Sequence, residues 1–157
     1  MTNDPSDSSA QQSAENDLIG SLSNSLAVSL AQRTLELGNG KTVQVDGYSE
    51  DKKVIAEAYA HIGRLKPGQK KKLGHDVLKL ITIEKALGDD WEKYIVVADG
   101  PAEKYLTDSS WLSVAVEKFG INIVRADIGP EIKTGIEQAQ REQTMVNPNR
   151  SSRGYGI

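Results

Sequence analysis

The chain has 157 residues, of which 38% are hydrophobic and 26% charged, with a formal net charge of −3; this suits one domain with its own core and leaves too little for two. It holds no cysteine and only two histidines, His61 and His75, which excludes disulfides, thiolate metal sites and a histidine-rich zinc site, while a hard cation held by carboxylates stays open. Met1–Asn16 lacks the basic and apolar regions of a secretory signal and no apolar run nears the ~20 residues that span a bilayer, so the expected setting is soluble and cytoplasmic.

In chain order, residues 1–15 are small and polar and read as a disordered tail. Asp17 to Arg33 follows with Leu18, Leu22, Leu26 and Leu30 at four-residue spacing, one face of a helix. Leu35 to Leu37 and Val43 to Val45 alternate apolar and polar around Gly38-Asn39-Gly40, which predicts a hairpin because Asn and Gly accept the positive φ of such turns. No helix follows these glycines, so they make a poor phosphate cradle. A turn at Ser49 to Lys53 leads into a strand over Val54 to Ile62. There Val54, Ala56, Ala58, Ala60 and Ile62 share one face, and Ile55, Glu57, Tyr59 and His61 the other.

Pro67 suits a helix start, and the helix carries Leu73, Val77, Leu80, Ile81, Glu84 and Leu87 on one side before Gly88 stops it. The apolar run Tyr94 to Ala98 is the mark of a strand buried on both faces. Ser110 to Phe119 reads as a helix capped by Asp108 or Ser109 and ended by Gly120. Ile121 to Ile128 is a further strand, and Pro130 opens a last helix to about Arg141. A domain over 16–142 results, with a second polar tail over 143–157 whose Arg150 and Arg153 read as solvated. The order is α, three antiparallel strands, then α, β, α, β, α, which implies an α/β fold with a mixed sheet covered by helices.

Two carboxylates stand out. Asp46 closes the second strand and Glu57 lies within the third. Neighbouring antiparallel strands bring such positions together, and Mg²⁺ needs one or two fixed carboxylates with its other positions left for water and phosphate. Glu57 also interrupts an apolar strand, where an unpartnered carboxylate is costly. Taken singly, Asp46 before Gly47 is as well explained as a turn residue. The runs Val45-Asp46-Gly47-Tyr48 and, ten residues on, Ala56-Glu57-Ala58-Tyr59 resemble the paired acidic motif of the PD-(D/E)XK nuclease superfamily. The α-β-β-β-α-β order resembles its restriction-endonuclease-like fold, with an added α-β-α.

That resemblance implies a Mg²⁺- or Mn²⁺-dependent nuclease acting on DNA in restriction, repair or defence, with Asp46 and Glu57 as metal ligands. Val45 replaces the family's proline, and Tyr59 replaces its catalytic lysine and brings no cation near pH 7. Family members often place a glutamine or lysine on the next helix, and some move the catalytic lysine there, so Gln69, Lys70 or Lys72 is expected to position water or phosphate, with Lys70 or Lys72 as the substitute lysine. His61, sharing the face of Glu57, offers a near-neutral acid or base, although a strand-end histidine is more often structural.

With the overall charge negative, contact with DNA must come from a local patch. Arg64, Lys66, Lys70, Lys71 and Lys72 form one where the helix macrodipole disfavours cations, which suggests an anionic partner; a lysine run that merely faces solvent is the plain reading. Arg64, Lys66 and Lys71 are the expected backbone contacts. Asp99 and Asp127, at strand ends, read as turn and cap residues. A chain of this size is expected to dimerise or to work with a partner protein. The alternatives are an inactive nuclease-fold subunit for nucleic-acid binding or assembly, which Tyr59 favours, and a protein-interaction domain.

Overall fold

The computed structural model describes the backbone of residues 5–146 and the side chains of residues 9–143. Turn chemistry sets the first half. Strand β1 (Ala31–Gly38) turns into β2 (Lys41–Ser49) through Asn39 and Gly40 at φ 54° and 74°, with Gly38 opposite Lys41. Both positive values are what a two-residue primed hairpin turn demands. A tight turn with Lys53 at φ 55° then returns the chain as β3 (Val54–Tyr59). Helix α2 (Pro67–Leu87) ends at Gly88, φ 103°, and leads to β4 (Glu92–Val97). Helices α3 (Gly100–Thr107) and α4 (Leu112–Lys118) lead through Gly120, φ 66°, to β5 (Ile121–Arg125), and α5 (Pro130–Val146) ends the described chain.

The sheet order is β1-β2-β3-β4-β5, antiparallel across the first three strands and parallel across the last three. The helical crossovers are what parallel neighbours require. The fold is therefore α/β, a five-stranded mixed sheet with helices on both faces. On one face Ile55, Tyr59, Ile95 and Val97 pack against Leu73, Val77, Leu80 and Ile83 of α2 and against Leu106, Leu112 and Val116 beyond it. On the other, Val54, Ala56, Ala58, Tyr94 and Val96 meet Ile136 of α5 and Leu18, Ile19 and Leu22 of helix α1 (Pro5–Leu26). Over Val54–Tyr59 the two faces expected for β3 are the two faces observed, but the strand ends at Tyr59, not Ile62, which leaves His61 beyond it. Its alanines let α1 lie close, so close that a Cβ on neighbouring Gly47 would stand 3.2 Å from Ile19 Cδ1. No helix among the described residues is long and apolar enough to cross a membrane.

Several boundaries differ from those the sequence suggests. Helix α1 starts at Pro5, not Asp17, so residues 5–15 are helix and not tail; Gln11–Glu15 and Gln12–Asn16 side-chain bonds brace its polar surface, and buried Ala14 docks it. It ends at Leu26, not Arg33, because Ala27 turns to φ 54° and the Ser23 hydroxyl takes the Leu30 N–H. Leu30 still packs on the α1 face of the core, which is why its spacing imitates a longer helix. Helix α3 lies in a stretch to which the sequence pattern assigns no element. Helix α4 is capped neither by Asp108 nor by Ser109: Ser110 Oγ accepts the Ser113 N–H at 3.2 Å. Strand β5 stops at Arg125, not Ile128, α5 continues past Arg141 to Val146, and Asp46 does not end its strand, which runs on to Ser49. Residues 1–4 and 147–157, with Arg150 and Arg153, lie outside the described part.

Candidate functional site

The site begins with a fault in the ladder. Between β1 and β2, Ala31 stands opposite Tyr48 and Arg33 opposite Val45, so two steps on one strand face three on the other. The extra residue falls at Asp46-Gly47, a β-bulge, a feature that bends a strand and re-aims its side chains. The β2–β3 pairing covers only Gly47–Ser49 against Val54–Ala56, and beyond Gly47 the two strands part. Backbone N–H groups at such a fork need new acceptors. The two acids supply them reciprocally: Asp46 N–H donates to Glu57 Oε2 at 3.0 Å, and Ala58 N–H donates to Asp46 Oδ2 at 2.9 Å. The carboxylates thus converge because each replaces a missing rung on the other's strand.

Helix α2 delivers a cation to the same point. Lys79 Nζ donates to Glu57 Oε1 at 2.6 Å and to the Gln44 carbonyl at 3.1 Å. One and two turns earlier, buried Asp76 pairs with Lys72 at 3.1 Å. Glu57 is only 1% exposed. Burial, reinforced by the charge of Asp46 and opposed by the bond and charge of Lys79, pushes its carboxyl up to about 7. Burial also raises Asp76 against the pull of Lys72, and raises Glu15 of α1 against its bond from Gln11, with the charge of Asp46 adding to that rise. Four carboxylates (Glu15, Asp46, Glu57, Asp76) thus share this region with two ammonium groups, Lys72 and Lys79, leaving a local surplus of negative charge that favours a cation.

The donors that meet closely are Asp46 and Glu57; among the described residues no three His, Asp or Glu side chains form a group able to hold a metal ion. Glu15 and Asp76 contribute field, not ligation. Two carboxylates suffice for Mg²⁺, which keeps most of its water. Asp46 Oδ1 has no hydrogen bond among the described residues, whereas both Glu57 oxygens already accept one. The donor set fits a hard divalent cation.

The other expected residues scatter. Tyr59 is buried on the α2 face, its hydroxyl without a partner among the described residues and its pKa raised by burial and by the charges of Asp76 and Asp99. His61 lies past the end of β3 with Nε2 3.3 Å from the Arg64 carbonyl. Gln69 Oε1 accepts the Lys66 N–H at 2.6 Å, and so caps α2. Lys70 Nζ lies 5.6 Å from the Tyr105 ring centroid, turned toward α3. Lys72 reaches Asp76, while Arg64, Lys66 and Lys71 are exposed. Asp99 accepts the Gly63 N–H at 2.7 Å as its loop folds over, and Asp127 N–H donates to Ser21 Oγ.

Sequence reasoning missed Lys79 and Glu15. The signal for Lys79 was present: Lys72, Asp76 and Lys79 follow the i, i+4, i+7 spacing of the apolar Leu73–Val77–Leu80 stripe, shifted by one residue, so a charged row borders the buried face. A cleft of about 260 Å³ opens next to the fork, walled by the first half of α1, the end of β3, the start of α2 and α5; Glu15, Ala58, Tyr59 and Lys72 belong to its wall, whereas Asp46, Glu57 and Lys79 do not line it. Set against protein-family models, curated proteins and solved structures, the chain matches none of them.

Proposed function

We propose that this protein is a metal-dependent nuclease of the PD-(D/E)XK type that hydrolyses a phosphodiester bond in DNA, with Asp46 and Glu57 as the ligands of Mg²⁺ or Mn²⁺. The observation that carries the reading is the reciprocal meeting of these acids at the β2–β3 fork with Lys79 bonded to Glu57. An acid on the second strand, an acid on the third and a covering helix agree with the α-β-β-β-α-β order of that superfamily. Tyr59 stands where the superfamily has its lysine, and Lys79 brings an ammonium group to Glu57 from α2 instead. The cation, when bound, supplies charge neutralisation at the phosphate and a more acidic water. Asp46, through Oδ1, and Glu57 would hold the cation, and the Lys79 ammonium group, which balances Glu57, would add positive charge near the phosphate. Lys72 lines the approach, and Arg64, Lys66 and Lys71 meet the polynucleotide backbone. A cytoplasmic role in restriction, repair or defence, as a dimer or with a partner protein, accords with this reading.

The test is cleavage of plasmid and short single- and double-stranded DNA by the purified chain with Mg²⁺ or Mn²⁺. Wild type should cut, and Asp46→Ala and Lys79→Met should lower the rate by at least ~100-fold, the scale of losing an electrostatic contribution in the transition state. No cutting by wild type under any of these conditions would end the enzymatic reading.

One observation favours a second reading, an inactive nuclease-like binding subunit: both Glu57 oxygens are satisfied within the protein, and the motif lysine is replaced by Tyr59. It predicts salt-sensitive DNA binding with no metal-dependent cleavage.

A further inference from the structure

We propose that the cleft beside the acids receives a single unpaired nucleotide, so that the substrate is a single-stranded polynucleotide, or an unpaired stretch of one, and not a continuous duplex. This rests on the nuclease reading above and specifies its substrate.

Size comes first. The cleft holds about 260 Å³, far beyond the ~10–15 Å³ that one water needs and just under the ~300 Å³ where sites for larger small molecules begin. It suits one ring system with its sugar. Chemistry narrows the choice. Away from Lys72 and Glu15 the wall carries the carboxamides of Gln11, Gln69, Gln140 and Gln143. Gln140 uses its donor and its acceptor on Ile62, Gln69 its acceptor on the Lys66 N–H and Gln11 a donor on Glu15, so what this wall presents is chiefly amide N–H, which suits the carbonyl and ring-nitrogen acceptors of a base as well as a phosphate oxygen. The Gln69 carbonyl is engaged by the Lys66 N–H, which fixes the side chain, and its NH₂ has no partner among the described residues. Gln140 is held against Ile62 by two bonds, so this wall is preorganised. Tyr59 and His61, their rings 5.9 Å apart and inclined by 47°, both line the cleft at the end of β3; Tyr59 is almost wholly buried in the core, so the ring open to a base is that of half-buried His61.

Position completes the argument. Ala58, whose N–H binds Asp46, and Lys72, in the field of Glu57 and Asp76, lie on the acid side of the cleft. A base in the amide-lined part therefore leaves its phosphate toward Lys72 and Asp46. Glu57 is almost wholly buried, so the phosphate has to come down to the fork. A duplex, stiff over ~150 base pairs, cannot fold one backbone into a pocket of this size, whereas a single strand can splay its bases and enter.

Gly68 provides a clean plug. It lines the cleft at the second position of α2, and a Cβ there would meet nothing within 4 Å, so Gly68→Ala, Gly68→Leu and Gly68→Trp add bulk to this wall in steps while replacing no acid and no lysine. Binding of a labelled DNA 12-mer, its RNA counterpart and the blunt duplex, followed by anisotropy with Ca²⁺ present, gives the readout alongside melting temperature. Wild type should bind single strands at least ~10-fold tighter than duplex, and the Leu and Trp variants should lose ~10-fold or more for single strands, the scale of one base contact, with melting temperature and duplex binding unchanged. Equal binding of RNA widens the substrate to any single strand and supports the cleft. Duplex bound or cut as well as single strands, with plugged variants behaving like wild type, overturns the inference and leaves the nuclease reading standing. If neither form is bound or cut, the nuclease reading fails and takes this inference with it.

Discussion

Glu57 is where burial and charge compete most directly. Its carboxyl, raised to about 7 from an ordinary 4.5, is mainly a desolvated group, and the 2.6 Å bond to Lys79 recovers part of the cost. In the window between these two values the unfolded chain has released a proton that the folded chain still holds, so stability falls as pH rises from about 4.5 to about 7. Glu15 and Asp76, also raised by burial, act in the same direction. Glu57→Gln deletes the largest of these contributions. Its melting temperature relative to wild type should climb across the window and level off above it; a difference independent of pH would mean that Glu57 titrates as an ordinary glutamate. Lys79→Met tests the other partner. It keeps most of the stem and removes the ammonium group from a pair whose carboxylate is buried, a change that costs ~3–5 kcal/mol when the orphaned charge has nowhere to go. At pH 8 urea denaturation should show a loss near the lower end of that range, because the Lys79 side chain is 17% exposed and part of its charge is already solvated. At pH 5, where Glu57 holds its proton, most of the loss should vanish.

The elements around these residues are held by different kinds of information. The Asn39-Gly40 hairpin, the two-faced β3, the buried β4 and the glycine stops at Gly88 and Gly120 are legible in the sequence, since each follows from residues within a few positions. So is the meeting of Asp46 and Glu57, because β2 and β3 are adjacent antiparallel strands. The bulge at Asp46-Gly47 is not legible: it depends on where β1 pairs, two strands away from Glu57. Neither is the reach of Lys79. Its place is set by how α2 crosses the sheet, which puts the third and fourth turns of the helix, not the first, above Glu57, and Lys70 and Lys72 lie nearer the start. The N-terminal half of α1 escapes notice because α5 and the sheet hold it, not its own apolar content. That close approach gives a prediction for the element. At Gly47 a Cβ would lie 3.2 Å from Ile19 Cδ1 and 3.3 Å from Ala56 Cβ. Gly47→Val must push α1 off β2 and β3, an overpacking change of ~1–3 kcal/mol. At ~2–4 °C per kcal/mol for a chain of this length, melting should drop by several degrees. Because the bulge carries Asp46, the metal affinity proposed for it should drop as well; an unchanged melting curve would show that α1 is free to shift.

Across the whole molecule, charge is sorted by position. The net charge of −3 hides a negative centre at the strand fork and a positive rim where Arg64, Lys66 and Lys71 stand exposed at the start of α2. Those cations gain nothing from their own helix, since the N-terminal end of a macrodipole repels them, and they form no ion pair among the described residues. On the proposed reading the rim would screen a polyanion on its way to a negative centre that would otherwise reject it. Reversing all three residues to Glu separates this role from stability. Lys72 is kept, because it holds buried Asp76. For the folded state the reversal should be neutral or slightly favourable, as acidic residues suit a helix start, and melting should stay within the ~0.5 kcal/mol typical of surface changes. For binding it should be severe. Each lost phosphate contact takes ~0.7 from the slope of log K against log salt for a single strand, and ~0.9 for a duplex. A wild-type slope that is steep, and a variant slope shallower by about 2 at unchanged melting temperature, would assign the rim to polynucleotide capture. Identical slopes would make these three residues a solvated helix face, and the negative centre would then need another route by which an anion could approach.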